Sequence, residues 1–177
     1  MTHDVADTAR VREIEPDADT SRAFREALGR YATGVTVVTV NSEIGPLGIT
    51  ANSFASVSLD PPLILWAPAR LSQRFAAFAA ARHFAIHVIG AEQRHISDGF
   101  SRSGTAWKGL AWERNELGVP LIDGCLARFE CEAVATYPGG DHCIVVAEVA
   151  RVTWRDGVPL VFSQGRYGPF ENPAAVG

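Results

Sequence analysis

The chain has 177 residues, with 47% apolar and 20% charged side chains and a formal net charge of −4. That is the size of one compact domain with enough apolar content to bury a core. It excludes a basic nucleic-acid footprint, and no run approaches the about 20 apolar residues that a membrane-spanning helix requires. The three cysteines, Cys125, Cys131 and Cys143, are odd in number and form no C-x-x-C. They predict neither a disulfide framework nor a zinc ribbon, and they fit a reducing cytoplasm.

Residues 1–19 are polar and acidic, without the apolar run of a signal peptide, and predict a disordered lead-in. Thr20 or Ser21 is a helix N-cap, and Phe24, Ala27, Leu28 and Tyr31 follow at helical spacing. Gly34 marks the exit. Val35–Val40 is β-branched throughout and predicts a buried strand. Turn residues over 41–46 lead to a second strand from Leu47 to about Phe54, and the pair predicts a hairpin. Pro61-Pro62 opens a third strand, Leu63–Trp66, since proline is tolerated at a strand's first position.

A helix over Leu71–Ala79 follows, with Ser72 as its N-cap. Phe84, Ile86 and Val88 alternate with His83, Ala85 and His87, which predicts a strand with one strongly apolar face. A short helix is expected over 91–100 and an irregular connection over 101–120. Three further strands are predicted at 126–137, 143–154 and 158–163, the first two joined by a tight turn at Pro138–Asp141. The expected architecture is mainly β with inserted helices, an antiparallel barrel closed wholly or in part. The domain is expected over 20–170, with a short tail at 171–177.

Several common sites are absent. No G-x-G-x-x-G follows a strand, and there is neither a Walker A loop nor a G-x-S-x-G elbow. His83 and His87 are four apart, but on a strand that spacing is about 13 Å, too far to share a metal; no metal site is expected.

Three clusters carry candidate chemistry. The end of the third strand leads through Ala67, Pro68 and Ala69 to Ser72 and Gln73, with Arg70 and Arg74 flanking. A helix N-terminus there presents free N–H groups to an anion; the same residues also suit a capped surface helix with solvated arginines. Thr50, Asn52, Ser53, Ser56 and Ser58 place hydroxyls and an amide among apolar residues. They suit the polar edge of a flat ring, or equally a strand's polar outer face. Gly139-Gly140-Asp141-His142 sets a histidine at the start of a strand, positioned for a ligand or simply solvated.

Taken in order, Tyr31–Thr39, Gly48–Ser58 with Pro61-Pro62, Phe84–Val88, Gly139–His142 with Glu148-Val149, and Phe162–Tyr167 resemble the flavin reductase domain family of two-component monooxygenases. The resemblance spans about Phe24 to Phe170. It implies an FMN-binding split β-barrel, usually a homodimer with flavin sites near the subunit interface. It implies FMN or FAD, NADH or NADPH as hydride donor, and a partner flavin-dependent monooxygenase that receives reduced flavin, in a natural-product or aromatic-compound pathway. Carried onto these residues, Gly48, Ile49, Thr50, Asn52 and Ser53 are isoalloxazine and ribityl contacts. Ala67, Pro68, Ala69, Ser72, Gln73 and Arg74 are ribityl-phosphate contacts, and Phe100 is a further flavin-side contact. His142, the catalytic candidate, is placed with Arg166 and Tyr167 on the nicotinamide side. The tail Glu171–Gly177 is expected to be too short to shape the nucleotide site much, which leaves NADH against NADPH open. Two alternatives remain: a split-barrel oxidase that keeps its flavin, and a non-catalytic flavin- or haem-binding protein.

Overall fold

The computed structural model describes residues 11–170. Of the expected tails, 1–10 and 171–177 lie outside the described residues, and 11–17 form no regular element. Helix α1 spans Ser21–Leu28. Thr20 occupies its N-cap, but the Thr20 side chain makes no cap bond to the helix. Asp17 Oδ1 instead accepts from Thr20 N–H, and Thr20 Oγ1 accepts from Asp17 N–H, both at 2.8 Å. The reciprocity is that of a capping box, one turn earlier than expected.

Twelve strands follow among the described residues, where six or more were expected: β1 (Thr33–Gly34), β2 (Thr36–Ser42), β3 (Gly45–Ala51), β4 (Ala55–Leu59), β5 (Pro62–Trp66), β6 (His83–Val88), β7 (Trp112–Arg114), β8 (Pro120–Ile122), β9 (Ala127–Gly139), β10 (His142–Trp154), β11 (Leu160–Ser163) and β12 (Arg166–Pro169). Helix α2 (Phe75–Ala79) lies between β5 and β6, and α3 (Arg94–Arg102) follows β6 after a 3₁₀ turn.

Three expectations are corrected. The second strand ends at Ala51 rather than Phe54, and β4 is separate; its alternation of Ala55, Val57 and Leu59 with Ser56 and Ser58 is a period-2 pattern of its own. The connection over 101–120 holds β7, which pairs with β8. The helix expected from Leu71 begins at Phe75, because a turn comes first: Ser72 N–H bonds Ala69 O at 3.1 Å, and Phe75 N–H bonds Ser72 O at 2.9 Å.

Seven strands form one antiparallel sheet in the order β3-β2-β6-β9-β10-β5-β4. Its two edges, β3 and β4, are consecutive in sequence and joined only by Asn52–Phe54. Laid flat, six gaps of about 4.8 Å would part the edges by about 29 Å. Four Cα steps of about 3.8 Å reach at most about 15 Å. The sheet must therefore curl until its edges nearly meet, which makes a split barrel. Ser53 bridges the seam: its hydroxyl accepts from Ala67 N–H at 2.9 Å and lies 3.2 Å from Ala67 O.

Both faces of β2 are buried, which explains its β-branched run. Val38 and Val40 join Trp66, Phe78, Phe84, Ile86 and Val145 in the barrel core. Val35 and Val37 join Ile89, Ile96, Phe100, Ile122 and Leu160 in a second core outside the barrel. Strand β6 also buries both faces. His87 is fully buried there: Nδ1 lies 3.0 Å from Val37 O, and Nε2 accepts from Ile122 N–H at 3.0 Å. Since Nε2 accepts, the proton sits on Nδ1, and burial lowers the ring's pKa from 6.5 to about 4. No helix among the described residues is long and apolar enough to cross a membrane.

Candidate active site

A pocket of about 380 Å³ opens beside the seam. Thr50, Asn52, Ser72, Arg74 and Ser101 give it polar groups, and Val35, Ile49, Ala51, Phe162 and Tyr167 give it apolar walls. The sequence-predicted residues Ile49, Thr50, Asn52, Ser72, Arg74 and Tyr167 are thus brought together.

Each is held by local structure. The Thr50 hydroxyl donates to Ser97 O at 2.6 Å, tying the end of β3 to α3. Asn52 is exposed at the rim, and its amide makes no hydrogen bond among the described residues. Arg74 Nη1 donates to Gly48 O at 2.9 Å and to Phe100 O at 2.7 Å, and Nη2 to Ser101 O at 3.4 Å. A cation at the last carbonyls of α3 also complements that helix's dipole. Burial lowers the guanidinium's pKa from its ordinary value. Ser72 Oγ accepts from Arg74 N–H at 3.2 Å, so it caps a turn rather than the helix expected from the sequence.

Gly48 and Phe100 stand behind the pocket. Gly48 is buried, and its N–H donates to Gly104 O at 2.9 Å. A Cβ at Gly48 would sit 2.4 Å from the Phe100 ring. Phe100 is itself fully buried and meets Trp107 edge-on at 4.8 Å. The pair therefore shapes the wall without lining the opening. Ser53 and Ala67 are engaged with each other at the seam, Pro68 is buried, and neither Ala69 nor the exposed Gln73 lines the pocket.

The nicotinamide-side set divides. Tyr167 sits in the pocket among the residues expected on the flavin side, 4.9 Å from the Phe162 ring, with the Arg94 guanidinium 5.3 Å from its centroid. Arg166 is exposed on the β11–β12 hairpin and does not line the pocket. His142 opens β10 after the Gly140-Asp141 turn, where Gly140 has a φ of +70°. Its Nδ1 lies 2.7 Å from Asp141 Oδ1. With Nδ1–H donating to that carboxylate, Nε2 is left to face outward, and the same bond lowers the Asp141 pKa. His142 does not line the pocket; it meets the loop after β5 through a bridge to Ala69.

Sequence reading did not single out Val35, Ala51, Ser101 or Phe162 as pocket residues. Phe162 had a usable signal, because it faces Tyr167 across a short hairpin whose turn contains Gly165. A larger trough of about 880 Å³ runs along α1 and shares Asn52 and Phe162 with the pocket. Another cleft of about 370 Å³ under the β7–β8 hairpin holds none of the predicted residues. Its charges serve the fold: Asn115 Nδ2 donates to Glu130 Oε2 at 2.7 Å, and Arg128 Nε lies 3.8 Å from Glu130 Oε1.

The pocket suits a flat aromatic ring with a polar edge. Its volume is at the lower end for small-ligand sites, enough for a tricyclic ring and too small for a whole dinucleotide.

The family model described as flavin reductase like domain matches residues 28–171. The FMN reductase (NADH) SmoA of Agrobacterium fabrum is 56% identical over 155 residues, covering 88% of this chain and 89% of SmoA. The flavin-dependent monooxygenase reductase subunit HsaB of Mycobacterium tuberculosis is 36% identical, covering 85% of this chain and 82% of its own. The solved NADH:FAD oxidoreductase SgcE6 of Streptomyces globisporus C-1027, in complex with NAD and FAD fragments, superposes with a TM-score of 0.83 at 36% identity, covering 92% of this chain and 99% of that one. With its split barrel, its seam pocket and a family match over most of its length, the chain belongs to the flavin reductase family.

Proposed function

We propose that this protein oxidises NADH, reduces FMN or FAD, and passes the reduced flavin to a partner monooxygenase. The observation that carries the reading is the gathering of Thr50, Asn52, Ser72, Arg74 and Tyr167 from distant parts of the chain into one seam pocket. It is supported by the likeness to an FMN reductase (NADH) and to reductase subunits of flavin-dependent monooxygenases.

Bound flavin supplies the ring that accepts hydride from the nicotinamide. The protein's part is to hold, orient and exclude water. Thr50, Asn52 and the backbone of Ile49–Asn52 would meet the ring's polar edge, and Phe162 and Tyr167 would cover its apolar body. Ser72 and the loop carrying it would take the ribityl phosphate, with Arg74 fixing that loop to Gly48 and Phe100. His142, its Nδ1 held by Asp141, would present Nε2 to the nicotinamide. Such a reaction rests on alignment of two rings and needs no general base.

The chain acts as a homodimer in this reading. Helix α1 buries none of its side chains and leaves Phe24 and Leu28 exposed, and Tyr31 just after it is exposed as well. Sedimentation should give twice the chain mass; a monomer at micromolar concentration overturns this part.

The test of the activity is NADH consumption with and without added FMN or FAD. Oxidation that depends on added flavin is expected. Folded protein that consumes no NADH with either flavin overturns the reading. Protein that retains flavin through dialysis and turns over added flavin poorly points instead to an oxidase.

A further inference from the structure

We propose that Arg70 is a positioning residue that locks the His142 turn to the loop carrying Ser72 and Arg74. Sequence reading left Arg70 either flanking an anion cradle or solvated; the structure turns its side chain to the backbone of another segment. Arg70 Nε lies 3.2 Å from Gly140 O and 3.1 Å from His142 O. Its own N–H donates to Asp141 O at 2.8 Å. Three successive carbonyls of the turn therefore face one residue. Just before Arg70 in the loop, Ala69 bridges to His142, and Pro68 O accepts from Cys143 N–H at 3.1 Å. The Arg70 guanidinium also lies 5.6 Å from the centre of the Phe75 ring, at the start of α2.

The arrangement links two regions that share no pocket. The loop from Ala67 to Arg74 ends on the flavin side, where Ser72 and Arg74 line the opening. The turn ends on His142, whose ring is held, among the described residues, only by the exposed Asp141. The β9–β10 ladder, which runs up to the pair His142 and Gly139, sets the direction in which β10 begins. The bifurcated Nε contact fixes the end of that ladder against the loop after β5, and with it the place from which the His142 ring projects. Lysine cannot replace it, since an ammonium lacks the guanidinium's fixed donor plane. Arg70 does not line the pocket, so its action on flavin is indirect.

This inference rests on the proposed flavin reductase activity, so wild-type activity is measured first; its absence defeats that reading before Arg70 is tested. Arg70→Ala, Arg70→Lys, His142→Ala and the double variant Arg70→Ala/His142→Ala are then compared by steady-state kinetics and by FMN titration. Arg70→Ala should lower kcat/KM for NADH roughly three- to tenfold, mainly through KM, with FMN Kd changed less than about twofold. Arg70→Lys should recover little of that loss. The double variant should be no worse than His142→Ala alone, because both changes act through one group. An unchanged KM for NADH, a proportional rise in FMN Kd, or losses that multiply in the double variant each overturn the proposal. If Arg70→Ala does not fold, Arg70→Lys and its double variant with His142→Ala carry the same readouts.

Discussion

Behind the pocket, Gly48, Phe100, His87 and Ile122 are buried, and the polar groups of Gly48 and His87 are bonded within the fold. At the Gly139–His142 turn, by contrast, the His142 ring is half exposed and held by a single carboxylate in solvent. The first region has little freedom to adapt, because a change of shape there opens a void or strands a buried polar group. The second can lose a side chain to water at little cost. The contrast separates shape from chemistry: the packed layer sets what fits, and the turn offers a group to whatever arrives.

The most damaging test of that contrast is His87→Ala. It strands Val37 O and Ile122 N–H and leaves a cavity, so unfolding in urea should show a loss of about 3–4 kcal/mol. His87 also predicts a pH dependence. Its folded pKa of about 4 lies below the ordinary 6.5, so the native state holds the neutral ring. Its contribution is complete above pH 6.5 and falls as pH drops towards 4, by roughly 3 kcal/mol in all. Chemical denaturation across that range should show the slope in the wild type and not in His87→Ala.

Next in size is Gly48→Ala, which forces the Phe100 ring away from a Cβ only 2.4 Å distant. It should cost about 1–3 kcal/mol and weaken flavin binding together with stability. Arg74→Ala should raise FMN Kd roughly ten- to thirtyfold in a fluorescence titration, with about 1–3 kcal/mol lost in stability, because it strands the carbonyls of the buried residues Gly48 and Phe100. The mildest is His142→Ala: kcat/KM for NADH down about tenfold, stability within about 0.5 kcal/mol of wild type. Should His142→Ala instead weaken FMN binding as much as Arg74→Ala does, the separation of shape from chemistry fails.

Local pattern carried much of this arrangement. The β-branched run of β2, the alternation in β6 and the glycine turn before β10 are short-range signals, and they placed the elements within a few residues. The gathering of Thr50, Ser72 and Tyr167 came through resemblance, since nothing in their spacing places them together. What escaped was tertiary. That β3 and β4 are opposite edges of one sheet follows only from the whole strand order. The committed hydroxyl of Ser53 and the committed carbonyl of Gly48 are side chain-to-backbone bonds between segments, invisible to periodicity. Tyr167 was placed on the nicotinamide side through the resemblance alone, and no local pattern foretold that the β11–β12 hairpin sets its ring beside Phe162.

The seam has a kinetic consequence. Its pocket takes residues from β3, from the loop before α2, from the end of α3 and from the last hairpin. The early strands can pair as hairpins, but no ligand-binding shape exists until the sheet has curled and the final hairpin has docked. Long-range closure of this kind is slow relative to local pairing. A ribosome-bound chain lacking its last 20 or so residues would have a formed sheet and no pocket. Flavin capture would then be the last event of folding, and the cofactor would select finished molecules rather than template unfinished ones.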